Sequence, residues 1–172
     1  MARPCVPRSS GLMLRPALFL TALLTLGHVV GCSTTFIPNT DVEDTSDNRK
    51  VINFCEKYRR AVEERDVEGL VSMASTRYFE TGGNAKPTDD IDYNGLRKYL
   101  TTKFKETKAI RYEIRYHRIT EKEDSHVLYV DFTYTASFQI PTSQGDVWHR
   151  AVRDDRLQLI RDGDSFKILA GM

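Results

Sequence analysis

His149, Arg153 and Asp155 lie in a stretch, Val147 to Arg161, whose apolar and polar residues alternate with the period of a β-strand. If Leu157 and Leu159 face the core, unbroken alternation puts Val147, His149, Ala151, Arg153 and Asp155 on the same inner face. A histidine and a carboxylate in an apolar cavity can do general acid–base work. Tyr58, Tyr112 and Tyr134 would stand opposite them, completing a ligand pocket in which His149 and Asp155 are the catalytic candidates. One extra residue in the strand reverses this. Trp148 and Val152 would then turn inward, and the three polar groups would join an ion-pair ladder on the outer face. The run Arg153-Asp154-Asp155-Arg156 is where such a bulge is expected, and the residue types favour the ladder.

Other chemistry-bearing residues are better explained by structure. Asp90-Ile91-Asp92-Tyr93-Asn94-Gly95 matches the first half of a calcium loop, with oxygen ligands at alternate positions before a glycine. The twelfth position, which needs a bidentate glutamate, is Thr101, and the apolar eighth is Arg97. A helix N-cap with acidic residues near the positive end of the dipole accounts for the same letters. His117, His126 and His149 lack ligand spacing or a cysteine partner, so no metal is expected. Cys55 has no base near it in the helical repeat and reads as a small buried hydrophobe. The sequence has no glycine-rich phosphate loop, nucleophile elbow or internal repeat, and no cofactor is expected.

The elements that must position these residues fall into two halves. Thr45 or Ser46 can cap a helix with one apolar stripe, Val51, Phe54, Cys55, Tyr58, Ala61 and Val62. Glu56/Arg60, Arg59/Glu63 and Arg60/Glu64 are four apart and predict a self-paired, solvated face. Asp66 caps a shorter helix with Leu70, Val71 and Ala74, in which Gly69 is out of place because glycine costs about 1 kcal/mol against alanine. A turn-rich loop spans Thr81 to Pro87. A third helix after Asp92 or Asn94 presents Leu96, Tyr99, Leu100 and Phe104 on one side. The second half has period two. Ile110, Tyr112, Ile114 and Tyr116 oppose Arg111, Glu113, Arg115 and His117. A longer strand carries Leu128, Val130, Phe132, Tyr134, Ala136, Phe138 and Ile140 on one face, and its length predicts a bend or bulge partway. Asp162-Gly163 is a hairpin turn, and Phe166, Ile168 and Ala170 finish the sheet.

Helices followed by a long antiparallel sheet resemble the nuclear transport factor 2-like superfamily. The residues that carry the likeness are Glu64-Arg65-Asp66-Val67-Glu68-Gly69-Leu70 between the first two helices and Asp162-Gly163-Asp164-Ser165-Phe166-Lys167-Ile168 at the end. That group includes ketosteroid isomerases, scytalone dehydratase, SnoaL-like cyclases and non-catalytic domains. The resemblance implies an α+β cone over residues 49–172: a bent sheet wrapping helices, a pocket at its wide end and dimers through the outer sheet face. Fold does not decide function. The isomerases need an inward base and donors for the oxyanion, and apart from the strand of His149 and Asp155 no such set can be placed.

Upstream, Ala17 to Val30 is an apolar run of signal-peptide length, too short and too interrupted by Thr21, Thr25 and His28 for a membrane span of about twenty residues. It ends in Val29-Val30-Gly31-Cys32, which resembles the lipobox of bacterial lipoproteins. That resemblance implies cleavage of residues 1–31 and acylation of Cys32; the polar composition makes residues 32–48 the lipidated cysteine and a flexible tether, within which Phe36-Ile37 can dock on the domain. Met13-Leu14-Arg15 would give a compact start, so Met13 rivals Met1 as the first residue. Three basic residues and no acidic ones precede Cys32, so of the chain's 25 basic and 24 acidic residues the remainder carries a net charge of −2. Such a balance excludes the basic stripe of a nucleic-acid binder. One domain of 141 residues can bury a core without disulfides or metals.

The expected protein is therefore a lipid-anchored envelope domain, in the periplasm or at the cell surface, with the outer membrane favoured because Ser33 follows the cysteine. Its expected role is non-catalytic binding of a small apolar ligand or a protein partner. The alternatives are an isomerase- or dehydratase-like enzyme using His149 and Asp155, and a structural homodimer held through outer-face residues such as Glu113, Arg115 and Asp131.

Overall fold

Helix α1 (Ser46–Glu64) begins where the Thr45 hydroxyl accepts the Asn48 N–H and buries the stripe Val51, Ile52, Phe54, Cys55, Tyr58 and Ala61. It ends at Arg65, whose φ of +56° is left-handed. The Arg65 N–H reaches the Val62 carbonyl and the Asp66 N–H the Ala61 carbonyl, which closes the last turn. Asp66 at once caps α2 (Val67–Met73) by accepting the Gly69 N–H at 2.9 Å. The glycine has a structural reason: a Cβ there would stand 2.2 Å from Asp66 Oδ2 and push the cap away. The computed structural model that shows this describes residues 34–81 and 89–172. The readings placed on residues 1–33 (signal peptide, the start at Met1 or Met13, and the lipobox at Cys32), and most of the loop after Thr81, lie outside the described residues.

Strands β1 (Phe79–Glu80) and β2 (Ile91–Asp92) pair as a short antiparallel ribbon. Asp92 then caps α3 (Tyr93–Lys105) by accepting the Gly95 N–H at 2.7 Å. That is the helix-cap reading of Asp90–Gly95. Strands β3 (Ala109–Lys122), β4 (Val127–Thr142), β5 (Gly145–Asp162) and β6 (Ser165–Ala170) form an antiparallel sheet in that order, and Gly163, at φ +58°, makes the last turn. The fold class is α+β, as the residue pattern predicts. Val51, Leu96, Val130, Leu157, Leu159 and Ile168 are fully enclosed between helices and sheet.

Three sequence expectations are corrected here. The extra residue is not in β4, whose pairing with β5 is continuous from Leu128↔Leu159 to Thr142↔Gly145; it is His117 in β3, between Tyr116 and Arg118. The charged side of α1 is not simply a solvated face. Arg59 bonds Glu56 and Glu63 and also donates to the Tyr112 carbonyl at 3.1 Å, while Glu63 accepts the Tyr112 N–H at 2.9 Å. β3 is an edge strand, and these side chains occupy backbone groups that would otherwise be open to another chain.

The third correction is one of extent: the segment read as a spacer up to Asn48 docks on the domain over more than Phe36-Ile37. Phe36 bridges Glu43, Val42 is 2% exposed, and the Asp41 N–H reaches the Tyr116 carbonyl beside the β3 bulge. Asp41 also accepts from Arg115 and lies 3.0 Å from His117 Nδ1. Residues 34–45 thus pack on β3, because two apolar side chains, Ile37 and Val42, find the core and the bulge frees a carbonyl for the backbone. The bond from Arg115, then that from His117, holds the Asp41 carboxyl below the usual carboxylate range. A depressed carboxyl lends its stability above the ordinary range and loses it as pH falls through the lowered value. Hydrogen-exchange protection of the Asp41 and Val42 amides should therefore drop between about pH 5 and about pH 2. Asp41→Asn should show the same loss at neutral pH; unchanged protection would mean that the apolar contacts hold the segment alone.

Candidate active site: a tyrosine-lined cavity

Period-two alternation aims β3 and β4 residues at the helices, and α1 and α3 cover them. Between them is a cavity of about 560 Å³. Tyr58 comes to it from α1, Tyr112 from β3, Tyr134 from β4 and Asp155 from β5. The Tyr58 and Tyr112 rings meet edge-on at 6.4 Å, and the Tyr112 and Tyr134 rings lie 5.3 Å apart. Burial, first of all, raises all three phenols above their ordinary pKa, and the Asp155 charge adds to this at each of them. They are therefore protonated donors at neutral pH. Phe138, Ile140, Leu100 and Phe104 make the remaining wall mostly apolar. Phenol donors beside a carboxylate acceptor can fix one oxygen of an apolar guest, and can pass a proton to or from it.

The register places each residue singled out in the sequence. No bulge interrupts β5 against β4: Asp155 is opposite Phe132, Arg153 opposite Tyr134 and His149 opposite Phe138. All three share the inner face, while Trp148 and Val152 point outward, 46% and 56% exposed. Only Asp155 of the three lines the cavity; it too is exposed, and its Oδ1 accepts the Arg156 N–H at 2.7 Å. Arg153 is exposed, near enough to Tyr134 for its charge to oppose the phenol's upward shift. His149 is exposed and stacks on the Phe138 ring at 5.7 Å. Six residues of extended chain, about 20 Å, separate it from Asp155, so the two do not form a catalytic pair. The outer-face ladder also exists, but from other members: Asp131 binds Arg118 at 2.8 Å and Arg156 at 2.5 Å, and the Thr133 hydroxyl donates to Asp154.

The alternation missed Tyr99, Lys103, Glu106 and Met172, which also line the cavity. Tyr99 was on the correct side of α3 and Lys103 is one helical turn further, so helical spacing could have found both. For Met172 the sequence carries no signal. Of the outer-face residues tied to a dimer, Arg115 is engaged by Asp41, and Asp131 by its two arginines. Cys55 is fully buried and burial pushes its thiol up, far from nucleophilic use. Among the described residues no group of three or more His, Cys, Asp or Glu is placed to hold a metal, and no helix is long and apolar enough to cross a membrane.

No protein-family model matches the chain. No curated protein matches it either. Solved structures do. A protein of the NTF2-like family from Streptomyces avermitilis, ascribed a dehydratase role, superposes with a TM-score of 0.61 over 73% of this chain and 94% of its own, at 12% identity. The fold is the nuclear transport factor 2-like cone. The cone recurs in the Kfla4162 protein from Kribbella flavida, with a TM-score of 0.61, 12% identity and coverage of 73% and 88%. It recurs again in a protein from Novosphingobium aromaticivorans ascribed a scytalone dehydratase role, with a TM-score of 0.59, 10% identity and coverage of 73% and 80%. At such identities the cone is what is shared, and what this cavity does must be read from its own residues.

Proposed function

We propose that the cone binds a small, largely apolar molecule through a single carbonyl or hydroxyl oxygen. We also propose that a lipid on Cys32 holds it in a bacterial cell envelope, on the outer membrane. The observation that carries the first part is the set Tyr58, Tyr112, Tyr134 and Asp155 converging in a cavity of about 560 Å³, within the usual size range for small-molecule sites. Three protonated phenols offer donors to the guest oxygen, Asp155 accepts from a hydroxyl, and the rings and aliphatic side chains exclude water from the rest. The lipobox-like Val29-Val30-Gly31-Cys32 supports the second part.

Native mass spectrometry of protein purified from its own envelope tests the reading by showing a retained small molecule. Tyr58→Phe should weaken that retention about tenfold, the worth of one buried hydrogen bond, and Asp155→Ala, which removes an exposed acceptor, several-fold. Retention unchanged in both variants would place the guest elsewhere.

One observation favours a second, catalytic reading: the carboxylate at the cavity stands beside phenols that are kept protonated. Asp155 would take a proton from a carbon next to a carbonyl, the phenols would hold the oxygen on which negative charge develops, and Asp155 would return the proton at another carbon. His149 has no place in that scheme. A substrate that turns over in the wild type, and that Asp155→Asn still binds without turnover, would establish the enzyme; equal loss of binding and signal would establish the binder.

A further inference from the structure

The chain leaves β6 at Ala170 and makes one sharp move. Gly171 has a φ of +94°, and a Cβ on it would fall 2.1 Å from the Arg156 carbonyl oxygen and 3.1 Å from Leu157 Cα. Only glycine can press this closely on a neighbouring strand, here at the residue next to Asp155. Two further bonds pin the segment: the Gly171 N–H donates to Glu80 Oε2, and the Met172 N–H to the Tyr78 hydroxyl at 3.4 Å. The Met172 side chain is thereby turned into the cavity that Tyr58, Tyr112 and Asp155 line.

We infer that Met172, positioned by Gly171, is a specificity-determining residue: it closes the Asp155 side of the cavity and sets the size of the guest that can approach that carboxylate. This rests on the cavity being a binding site for a small apolar molecule bearing one polar oxygen. Methionine suits the place, since a flexible, polarisable side chain fills an irregular gap without a fixed shape. Shortening it lengthens the cavity, whereas an added Cβ at position 171 must lift the strap off β5 and carry Met172 with it.

Calorimetric titration with two phenols tests this. 4-Propylphenol is the short probe and 4-phenylphenol the long one. The wild type should bind the short probe and bind the long one at least tenfold more weakly. Met172→Ala should abolish that gap, with the short probe changed less than threefold, and Gly171→Ala should behave like Met172→Ala. Should Gly171→Ala fail to fold, Met172→Ala decides alone. Short-probe binding in the wild type, with the gap intact in Met172→Ala, overturns the strap and leaves the binding reading standing. Failure of every form to bind either phenol overturns both.

Discussion

Phe132→Ala should destabilise the domain by about 3–5 kcal/mol, the range for deleting a buried aromatic ring. Phe132 is 1% exposed, with the rings of Tyr116 and Tyr134 each 6.4 Å away. It sits in the middle of the sheet, opposite Tyr116 on β3 and Asp155 on β5. Neighbouring strands are hydrogen-bonded on both sides, so the backbone cannot close over the missing ring and the void persists. Against a total stability of about 5–15 kcal/mol for an ordinary domain, that loss is a large share. Urea unfolding should show a lower midpoint at an unchanged slope, while Phe132→Leu should cost less than about 1.5 kcal/mol. Because Tyr134 leans on this ring, guest binding should fall with it in Phe132→Ala. A loss under about 1 kcal/mol would mean that the sheet relaxes around the gap, helped by the break in register at the neighbouring His117 bulge.

Cys32→Ala should abolish fatty-acid labelling altogether and cause uncleaved precursor to accumulate. If Val29-Val30-Gly31-Cys32 works as a lipobox, the thiol of Cys32 is the only atom that can carry the diacylglycerol, and cleavage waits on that modification. The effect is all-or-none because no second cysteine is available: Cys5 would leave with the leader, and Cys55 is fully buried. Stable anchoring takes more than one acyl chain at about 0.8 kcal/mol per buried methylene, and a fully modified lipoprotein cysteine carries three. Metabolic labelling followed by fractionation reads both effects. Normal labelling and processing of Cys32→Ala would overturn the envelope reading and leave the cavity reading untouched.

Most of the secondary structure was legible because each element obeys one local rule. The α1 stripe, the caps at Thr45, Asp66 and Asp92, and the period-two faces of β3 and β4 follow from side-chain spacing and short-range hydrogen bonds, which need no knowledge of the rest of the chain. The tyrosines of the cavity were legible for the same reason: they occupy apolar-face positions of their elements. What failed were inferences that depend on a neighbour. The charge pairs of α1 looked complete within the helix, yet Arg59 and Glu63 also reach β3, and a helix cannot reveal which strand edge it will lie beside. Residues 34–45 looked like a spacer with Phe36-Ile37 as its one docking point because their composition is polar, but Ile37, Val42 and a carbonyl freed at the His117 bulge dock more of it.

The candidate site divides along the same line. Period two by itself determined that His149, Arg153 and Asp155 share one face of their strand. Whether that face was inside or outside hung on one extra residue, and only cross-strand pairing decides where a bulge falls. The pairing placed a bulge in β3 and kept β5 in unbroken register with β4, so Asp155 lines the cavity while His149, about 20 Å along the strand, is exposed against the Phe138 ring. Met172 joined the site because of a backbone contact between Gly171 and Arg156. Alternation is a property of consecutive residues, whereas enclosure is a property of what packs above them, and only the assembled cone supplies the second.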